Sequence, residues 1–518
     1  MTDVVQKCKK AAVVIPPFTD FYATPHRFST LGAGIVSRLL EQNDIDIHFF
    51  NFPEQNIGGT TTPLPRSLHY LKPNLISNET GRCSFFTQYK LFGPPFEECV
   101  RQITAISPDI IFVSCFAFCY ADTAITLCRM LKEELPLSAI VAGGGGVSVN
   151  PSYFISSGYI DFAVSGEAEI SLLPLLEFIG NNDNDLSIIP NVTCAKSLPC
   201  VSKPVIFTSN TSIEPGFRIS LHNNKLRIDL TVSRGCPFKC TFCSNHLCHG
   251  SEFRRVSINR IKDLIESIHS SLLIQPSSVD VNFEDDNLLI DPQFWFEIID
   301  VFKSTFSKVS FYAENGLDYR LLTVEFALYL IKQGMAQFNI ALGNINSKAV
   351  TSMARKTSLN HYDILLTLFS EHAIPSVSYF IAGINGDSRR NIAENLIFIS
   401  RRKTQCGISM FYPVPGLPGF SDQNMFKPGE SIRCCGSSAF PWNGSVSTET
   451  LISAFRLSRF TNLLKSAQKN HDEVDLIEKT FRTKVLHTII KTKNKRSIIE
   501  VPHQDRELAK MVLEDIDF

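Results

Sequence analysis

Arg234-Gly235-Cys236-Pro237-Phe238-Lys239-Cys240-Thr241-Phe242-Cys243 carries three cysteines spaced C-x3-C-x2-C. It follows directly on residues 227–232 (RIDLTV), whose apolar and β-branched content reads as a strand. Three thiolates in one tight loop can hold three irons of a cubane cluster and leave the fourth iron open. An open iron can be chelated by a ligand with an amino and a carboxylate group. Zinc is the alternative occupant. It takes four ligands, often from two separated C-x2-C knuckles, and His246, Cys248 or His249 is a candidate fourth. Chance grouping is a third reading, since the chain has fifteen cysteines.

Downstream of the loop, strand and helix patterns alternate. Strands are predicted at 227–232, 279–283, 309–313, 337–342, 376–382 and 407–411, with helical spacing between them. Such a series predicts a partial (β/α)6 TIM-like barrel over residues 225–422. The cysteines then lie at the carboxyl end of its first strand, the edge where such barrels place their chemistry.

A second α/β series lies upstream. Residues 11–15 (AAVVI) are continuously apolar, as expected of a strand buried on both faces. Thr24-Pro25 reads as the N-cap and first-turn proline of a helix bearing Leu31, Ile35, Val36, Leu39 and Leu40. Further strands are predicted at 45–50, 110–115, 139–142 and 159–164, the fourth of the five running into Gly143-Gly144-Gly145-Gly146. This pattern predicts an α/β domain at 1–190, a Rossmann-like open parallel sheet covered by helices. Residues 51–95 are rich in Pro, Gly, Ser and Thr and are predicted irregular. Residues 191–224 read as a polar linker, and 423–518 as a small mixed α/β region with helices near 448–468 and 504–516.

The 518 residues include 50 Lys plus Arg against 51 Asp plus Glu, which gives no electrostatic case for nucleic acid or an anionic membrane as partner. At 44% hydrophobic and 19% charged, the chain can build sizeable cores. Its longest apolar run, 110–121, is too short for a membrane span. The Met1-Thr2-Asp3 start lacks a signal-peptide layout, so a cytoplasmic location with mostly reduced thiols is expected.

With its barrel context, the cysteine loop resembles that of the radical S-adenosylmethionine (SAM) superfamily, over residues 226–419. The resemblance implies a [4Fe–4S] cluster on Cys236, Cys240 and Cys243, with SAM on the open iron and Phe242 packed on the adenine side. Phe283-Glu284-Asp285-Asp286-Asn287 resembles the turn that meets the SAM amino group, through Glu284 or Asp286. Glu314 and Asn315, before Gly316, resemble a contact to the ribose or methionine part, and Gly383 the turn beside the adenine. Pro413-Val414-Pro415-Gly416 follows the sixth strand. Asn344-Ile345-Asn346 departs from the Glu-Ser pair often found after the fourth strand.

The N-terminal series resembles the cobalamin-binding-domain subclass of that superfamily, over residues 11–180. Pro16-Pro17, the run from Pro108 to Ser114, Ala142-Gly143-Gly144-Gly145 and Gly166-Glu167-Ala168-Glu169 carry the likeness. It implies cobalamin at the carboxyl ends of the strands, near Ser114, Gly143, Gly144 and Gly145, where glycines permit close backbone approach. A D-x-H-x-x-G motif is absent, so no histidine is expected beneath cobalt. The implied activity is reductive cleavage of SAM to a 5′-deoxyadenosyl radical, followed by C-methylation or another radical transformation of a small, hydrophobic molecule. A flavodoxin- or ferredoxin-like electron donor is implied as partner.

Two alternatives stay open. Transfer RNA methylthiotransferases also place an α/β domain before the barrel, but carry a second cysteine triplet, for which Cys8, Cys83 and Cys99 are poorly placed. A zinc-stabilised, non-catalytic α/β binding protein is the other. Of the remaining residues, His26 and His48 read as surface or capping groups, and Cys115, Cys119 and Cys128 as core thiols. Cys434 and Cys435 read as buried or substrate-facing thiols rather than ligands of a second cluster.

Overall fold

The structure is a computed structural model that describes residues 9–75, 87–181, 189–194, 207, 212–469, 474–482, 485–492 and 498–515. Cys8 and Cys83 lie outside these residues, as do the side chains of His26 and of residues 467–503.

The first sheet contains β1 (Lys10–Ile15), β2 (Asp46–Asn51), β3 (Ile110–Ser114), β4 (Ala139–Gly143), β5 (Phe162–Val164) and β6 (Val192–Cys194). Their spatial order is β2-β1-β3-β4-β5-β6, all parallel except the antiparallel edge strand β6. Helices Leu31–Glu41 and Ala121–Glu134 help to cover the sheet, which is why β1 and β3 are apolar on both faces. The order reverses between β1 and β3, opening a crevice at their carboxyl ends.

The helix expected from Thr24-Pro25 is broken. Pro25–Phe28 is a single 3-10 turn, Thr24 makes no side-chain capping bond, and the helix proper begins at Leu31. The stretch expected to be irregular holds a 3-10 helix at Arg66–Asn74 and contributes two short strands to a small antiparallel sheet with Phe18–Asp20. The polar stretch 191–224 contributes β6 and also β7 (Gly216–His222).

β7 pairs antiparallel with β8 (Lys225–Thr231), which starts a parallel series with β9 (Ser278–Phe283) and β10 (Val309–Tyr312). A second parallel group follows: β11 (Phe338–Gly343), β12 (Ser376–Ala382) and β13 (Gln405–Met410). Leu317 bridges to Ile340 and joins the two groups, so six parallel strands curve round as a partial barrel. Helices Ile258–Ser271, Pro292–Thr305, Val324–Gln333, Leu359–Glu371 and Arg389–Ser400 lie between consecutive strands. Phenylalanines fill the strand–helix seams. Phe338 stacks on Phe369 at 4.0 Å, and Phe283 and Phe311 on adjacent strands stack at 6.2 Å. Each such fully buried ring contributes about 2–3 kcal/mol of transfer free energy.

Helix Thr448–Lys469 packs along β13. Lys465 Nζ donates to the carbonyls of Ile399, Arg402 and Thr404 at 2.6–2.8 Å, ending helix Arg389–Ser400. Strands β14 (Val474–Arg482), β15 (Val485–Thr492) and β16 (Ile498–His503) form an antiparallel sheet, and helix Arg506–Asp515 closes the chain.

Candidate active site

The cysteine loop leaves β8 and returns along a two-stranded ladder of Ser233–Arg234 with Arg254–Arg255. Gly235 is required at the first turn. Its φ is +87°, and a Cβ there would stand 2.0 Å from the Glu252 carbonyl oxygen. Its N–H donates to Asp286 Oδ2 at 2.8 Å. Farther along, the Thr241 hydroxyl donates to the Ser352 carbonyl at 2.7 Å. Phe242 packs with Ile381 and Phe411 against Ala349, Met353 and Ile384.

Cys236, Cys240 and Cys243 are free, half-buried thiols. Burial raises all three above the ordinary thiol range, Cys243 to about 11. Asn287 Nδ2 lies 3.8 Å from Cys236 Sγ. The charges of Arg355 and Arg320 act on Cys240 in the opposite sense to burial. Both arginines are held by Asp318, and Arg320 also lies 4.9 Å over the Phe238 ring.

Of the three consecutive acids after β9, the middle one is the anchor. Asp285 Oδ1 accepts from Val232 N at 3.0 Å, Ser233 N at 2.5 Å and Ser233 Oγ at 2.6 Å. Burial raises its pKa to about 7, with hydrogen bonds opposing the rise. Its other oxygen, Oδ2, is buried without a hydrogen-bond partner. Asp286 holds the cysteine loop through Gly235, and Glu284 takes the Asn282 amide. Asn315 Nδ2 donates to the Asp285 carbonyl at 2.8 Å, tying the next strand end to this turn.

Glu314 lies beside Asn315 with its carboxylate engaged. Arg227 Nη1 and Nη2 donate to it at 3.1 and 2.8 Å, and its backbone carbonyl accepts from Asn339 and Tyr379 at 3.0 Å. With Asp229 and Asn282 these groups fill one half of the barrel lumen with a hydrogen-bonded polar network. Along β12 the residues packed on the helices are buried, whereas Val377, Tyr379 and Ile381 are only half-buried. Gly407 on β13 makes room for Tyr379, since a Cβ there would lie 2.3 Å from its ring. Tyr412, just beyond β13, is 41% exposed, and burial is the main cause that raises its hydroxyl pKa, with Cys435, Cys119 and Arg27 nearby. Gly383 lies across the lumen mouth, its N–H on Asp387 Oδ2 and its carbonyl on Asn443 Nδ2, both at 2.8 Å.

The N-terminal glycine turn packs tightly against a neighbouring loop. A Cβ on Gly144 would stand 2.7 Å from the Cys115 carbonyl oxygen, and one on Gly145 2.9 Å from that of Phe116. Loop 115–118 leaves no room for a side chain at Gly144 or Gly145. Gly143 has only a loose neighbour, the Val164 carbonyl at 3.9 Å. Ser114 lines a shallow cleft at the β1–β3 crevice, with Pro16, Pro17, Ser29, Phe116 and Thr123. Phe116 is 50% exposed at this edge. The room lies at the switch point, the ligand position of such sheets, and the half-exposed ring gives it an apolar wall.

Cys248 joins the two halves of the site. A Cβ on Gly145 would lie 4.0 Å from Cys248 Sγ, and the same thiol feels the charges of Asp286 and Cys243. Cys248 thus faces the N-terminal domain, and His249 Nδ1 is 3.2 Å from Glu167. Among the described residues no three His, Cys, Asp or Glu side chains converge as the ligands of a single ion would. A cubane asks for three thiolates on three separate irons, and this short loop of unpaired thiols suits that donor set.

His48 is a surface residue 3.5 Å from Asp46. Cys99, Cys115, Cys119 and Cys128 are core thiols. Cys434 and Cys435 are buried as well, with Cys435 3.1 Å from Ser437 Oγ and 3.7 Å from Arg27 Nη2. Sequence reasoning missed Asp285, because three adjacent acids look alike until the pleat orients them. It also missed Arg320 and Arg355, which no motif marks.

No protein-family model matches the chain. It is 24% identical over 219 residues to the bacteriochlorophyllide d C-12(1)-methyltransferase of Chlorobaculum tepidum, a match covering 41% of this chain and 47% of that protein. It is 25% identical over 174 residues to the cobalamin-dependent radical SAM methyltransferase TokK of Streptomyces tokunonensis, covering 31% and 25%. The chain therefore spans half or less of the length of these curated relatives. Among solved structures, the radical SAM methyltransferase TsrM of Kitasatospora setae superposes with a TM-score of 0.56 at 15% identity, over 79% of this chain and 75% of that one. The chain is thus similar to cobalamin-dependent radical SAM methyltransferases in sequence, and it shares with TsrM the fold of an open α/β domain ahead of a partial barrel. No described helix is long and apolar enough to cross a membrane.

Proposed function

We propose that the chain is a cobalamin-dependent radical SAM methyltransferase. Cys236, Cys240 and Cys243 hold a [4Fe–4S] cluster, SAM takes its open corner, and cobalamin lies at the carboxyl edge of the N-terminal sheet. The observation that carries this reading is the position of the cysteine loop. It sits at the carboxyl end of the first barrel strand and meets the N-terminal glycine turn through Cys248. When bound, the cluster supplies an electron that splits SAM into methionine and a 5′-deoxyadenosyl radical, and cobalamin supplies a transferable methyl group.

The chain's own residues bind, orient and exclude. The three thiols release their protons on binding iron. Asp285 and Asp286 fix the loop backbone, and Phe242 offers an aromatic face for the adenine. Glu314, Asn315 and Gly383 line the lumen mouth beside it; Ser114 and the loop after it border the cobalamin cleft. The methyl acceptor is a hydrophobic small molecule, received against Val377, Ile381, Phe411 and Tyr412. Reduction comes from a flavodoxin- or ferredoxin-like donor, in a cytoplasmic setting.

Purification without oxygen, reconstitution with iron and sulfide, addition of hydroxocobalamin and desalting test the reading. About four irons and one cobalt per chain, with 5′-deoxyadenosine formed from SAM under reduction, support it. About four irons without cobalt remove methyl transfer and leave a radical SAM enzyme. One zinc without sulfide replaces it with the zinc-stabilised binding protein.

A further inference from the structure

The loop that carries the three cysteines is anchored from outside its own domain. Arg234 leads into it and Arg254 leads out, and both guanidinium groups meet one carboxylate, Glu167, just beyond β5. Arg254 donates to both Glu167 oxygens, at 2.8 and 2.6 Å, and Arg234 Nη1 stands 3.4 Å away. His249 Nδ1 approaches the same carboxylate at 3.2 Å. Two residues on, Glu169 takes Arg234 Nη2 at 2.8 Å. Arg254 also donates to the His249 carbonyl at 2.8 Å, so it braces the loop's return. Gly166 lies directly beneath, where a Cβ would meet the Cys248 carbonyl at 3.2 Å.

Glu167, Arg234 and Arg254 are all buried, with exposures of 3%, 5% and 2%. Burial alone would raise the Glu167 carboxyl. Hydrogen bonds from Arg254 and His249, with the charge of Arg234, outweigh it and bring the pKa to about 2. Well-packed apolar side chains would stabilise such a seam at least as well as buried ions. A two-pronged Arg–carboxylate pair adds direction, because it fixes the angle as well as the distance between its partners.

We infer that Glu167 is a positioning residue for the cluster: a carboxylate of the N-terminal domain that sets, through Arg234 and Arg254, where the cysteine loop stands against that domain's carboxyl edge. The inference rests on the proposed function for what the loop holds, and on the hydrogen-bond geometry alone for the grip. The Gly166-Glu167-Ala168-Glu169 turn is then the element that holds the two cofactor sites in register.

The test compares the full-length chain with Glu167→Gln, Glu167→Asp and the surface control Glu133→Gln in two arms. One measures hydrogen exchange over 234–254 in the metal-free protein. The other records electron paramagnetic resonance of the reduced cluster, with and without SAM, and its midpoint potential. Glu167→Gln is expected to exchange about tenfold faster in this loop. It should still load iron, while giving a broadened cluster signal and a weaker response to SAM. Glu167→Asp should recover part of both, and Glu133→Gln should match wild type. Wild-type exchange in Glu167→Gln overturns the inference. So does fast exchange with a wild-type spectrum, which leaves only a structural role. A wild-type protein that loads no iron overturns the proposed function, and the exchange arm still decides whether Glu167 holds the loop. If Glu167→Gln does not fold, Arg254→Lys keeps the charge, removes the two-pronged contact and carries the same expectations.

Discussion

The Asp285 carboxylate accepts two hydrogen bonds from Ser233, one from its backbone N–H at 2.5 Å and one from its hydroxyl at 2.6 Å. This pair fixes the point where the first barrel strand turns into the cysteine loop, and it gives the chain a pH dependence of defined sign. The Asp285 pKa is raised to about 7 in the folded chain, against about 4 for an unfolded carboxyl. Between those values the folded state binds a proton that the unfolded state does not. The stabilisation is therefore fully present below about pH 4 and is lost as pH rises through about 7. Denaturant unfolding from pH 4 to 8 should show this fall, and Asp285→Asn should flatten it. Asp285→Ala should cost about 2–4 kcal/mol near pH 4, where three donors lose their acceptor, and less as pH rises through about 7.

Replacing Cys236, Cys240 and Cys243 together by alanine should abolish iron–sulfur absorbance and reductive SAM cleavage. The thiols are half-buried and carry little packing, so stability should change by no more than about 1–2 kcal/mol. Circular dichroism should stay that of the wild type. Surviving SAM cleavage would sink the assignment of the cluster.

Gly235→Ala should be far more damaging than its size implies. The new methyl group would meet backbone, the Glu252 carbonyl, and the residue would keep a left-handed φ of +87°. A cost of about 2–4 kcal/mol is expected, together with poor iron loading. Wild-type iron content in this variant would show that the loop can close in another way.

Ser114→Trp separates the two cofactor sites. Ser114 lines the cleft at the carboxyl ends of β1 and β3, and an indole there would occupy much of its room. Cobalamin affinity should fall about tenfold or more, equivalent to about 1.4 kcal/mol, with iron per chain unchanged. Unchanged cobalt retention would move the corrin site away from this crevice.

All six parallel barrel strands lie within about two residues of where the sequence places them. The reason is physical: a strand covered on one side by helices and on the other by its barrel leaves a dense apolar run bounded by polar turns. Residues 11–15 and 110–115 were legible for the same reason. Local readings failed where long-range contacts decide. Thr24-Pro25 carries the chemistry of a helix start, yet the chain makes one 3-10 turn there and begins its helix at Leu31. The run of glycines at 143–146 is legible in the sequence, but its packing against loop 115–118, too close for side chains at Gly144 and Gly145, is not. Glu167 and Arg254 are 87 positions apart, and nothing local in either segment announces the other.

The alternation along β12 has a consequence for how this chain can change. Ser378 and Phe380 face the helices and are buried, while Val377, Tyr379 and Ile381 face the lumen and are partly accessible. One strand thus divides two duties between odd and even positions. Substitutions at the lumen positions can reshape what the barrel admits while the load-carrying positions stay as they are. A scaffold divided in this way can change its interior surface without passing through an unfolded ancestor.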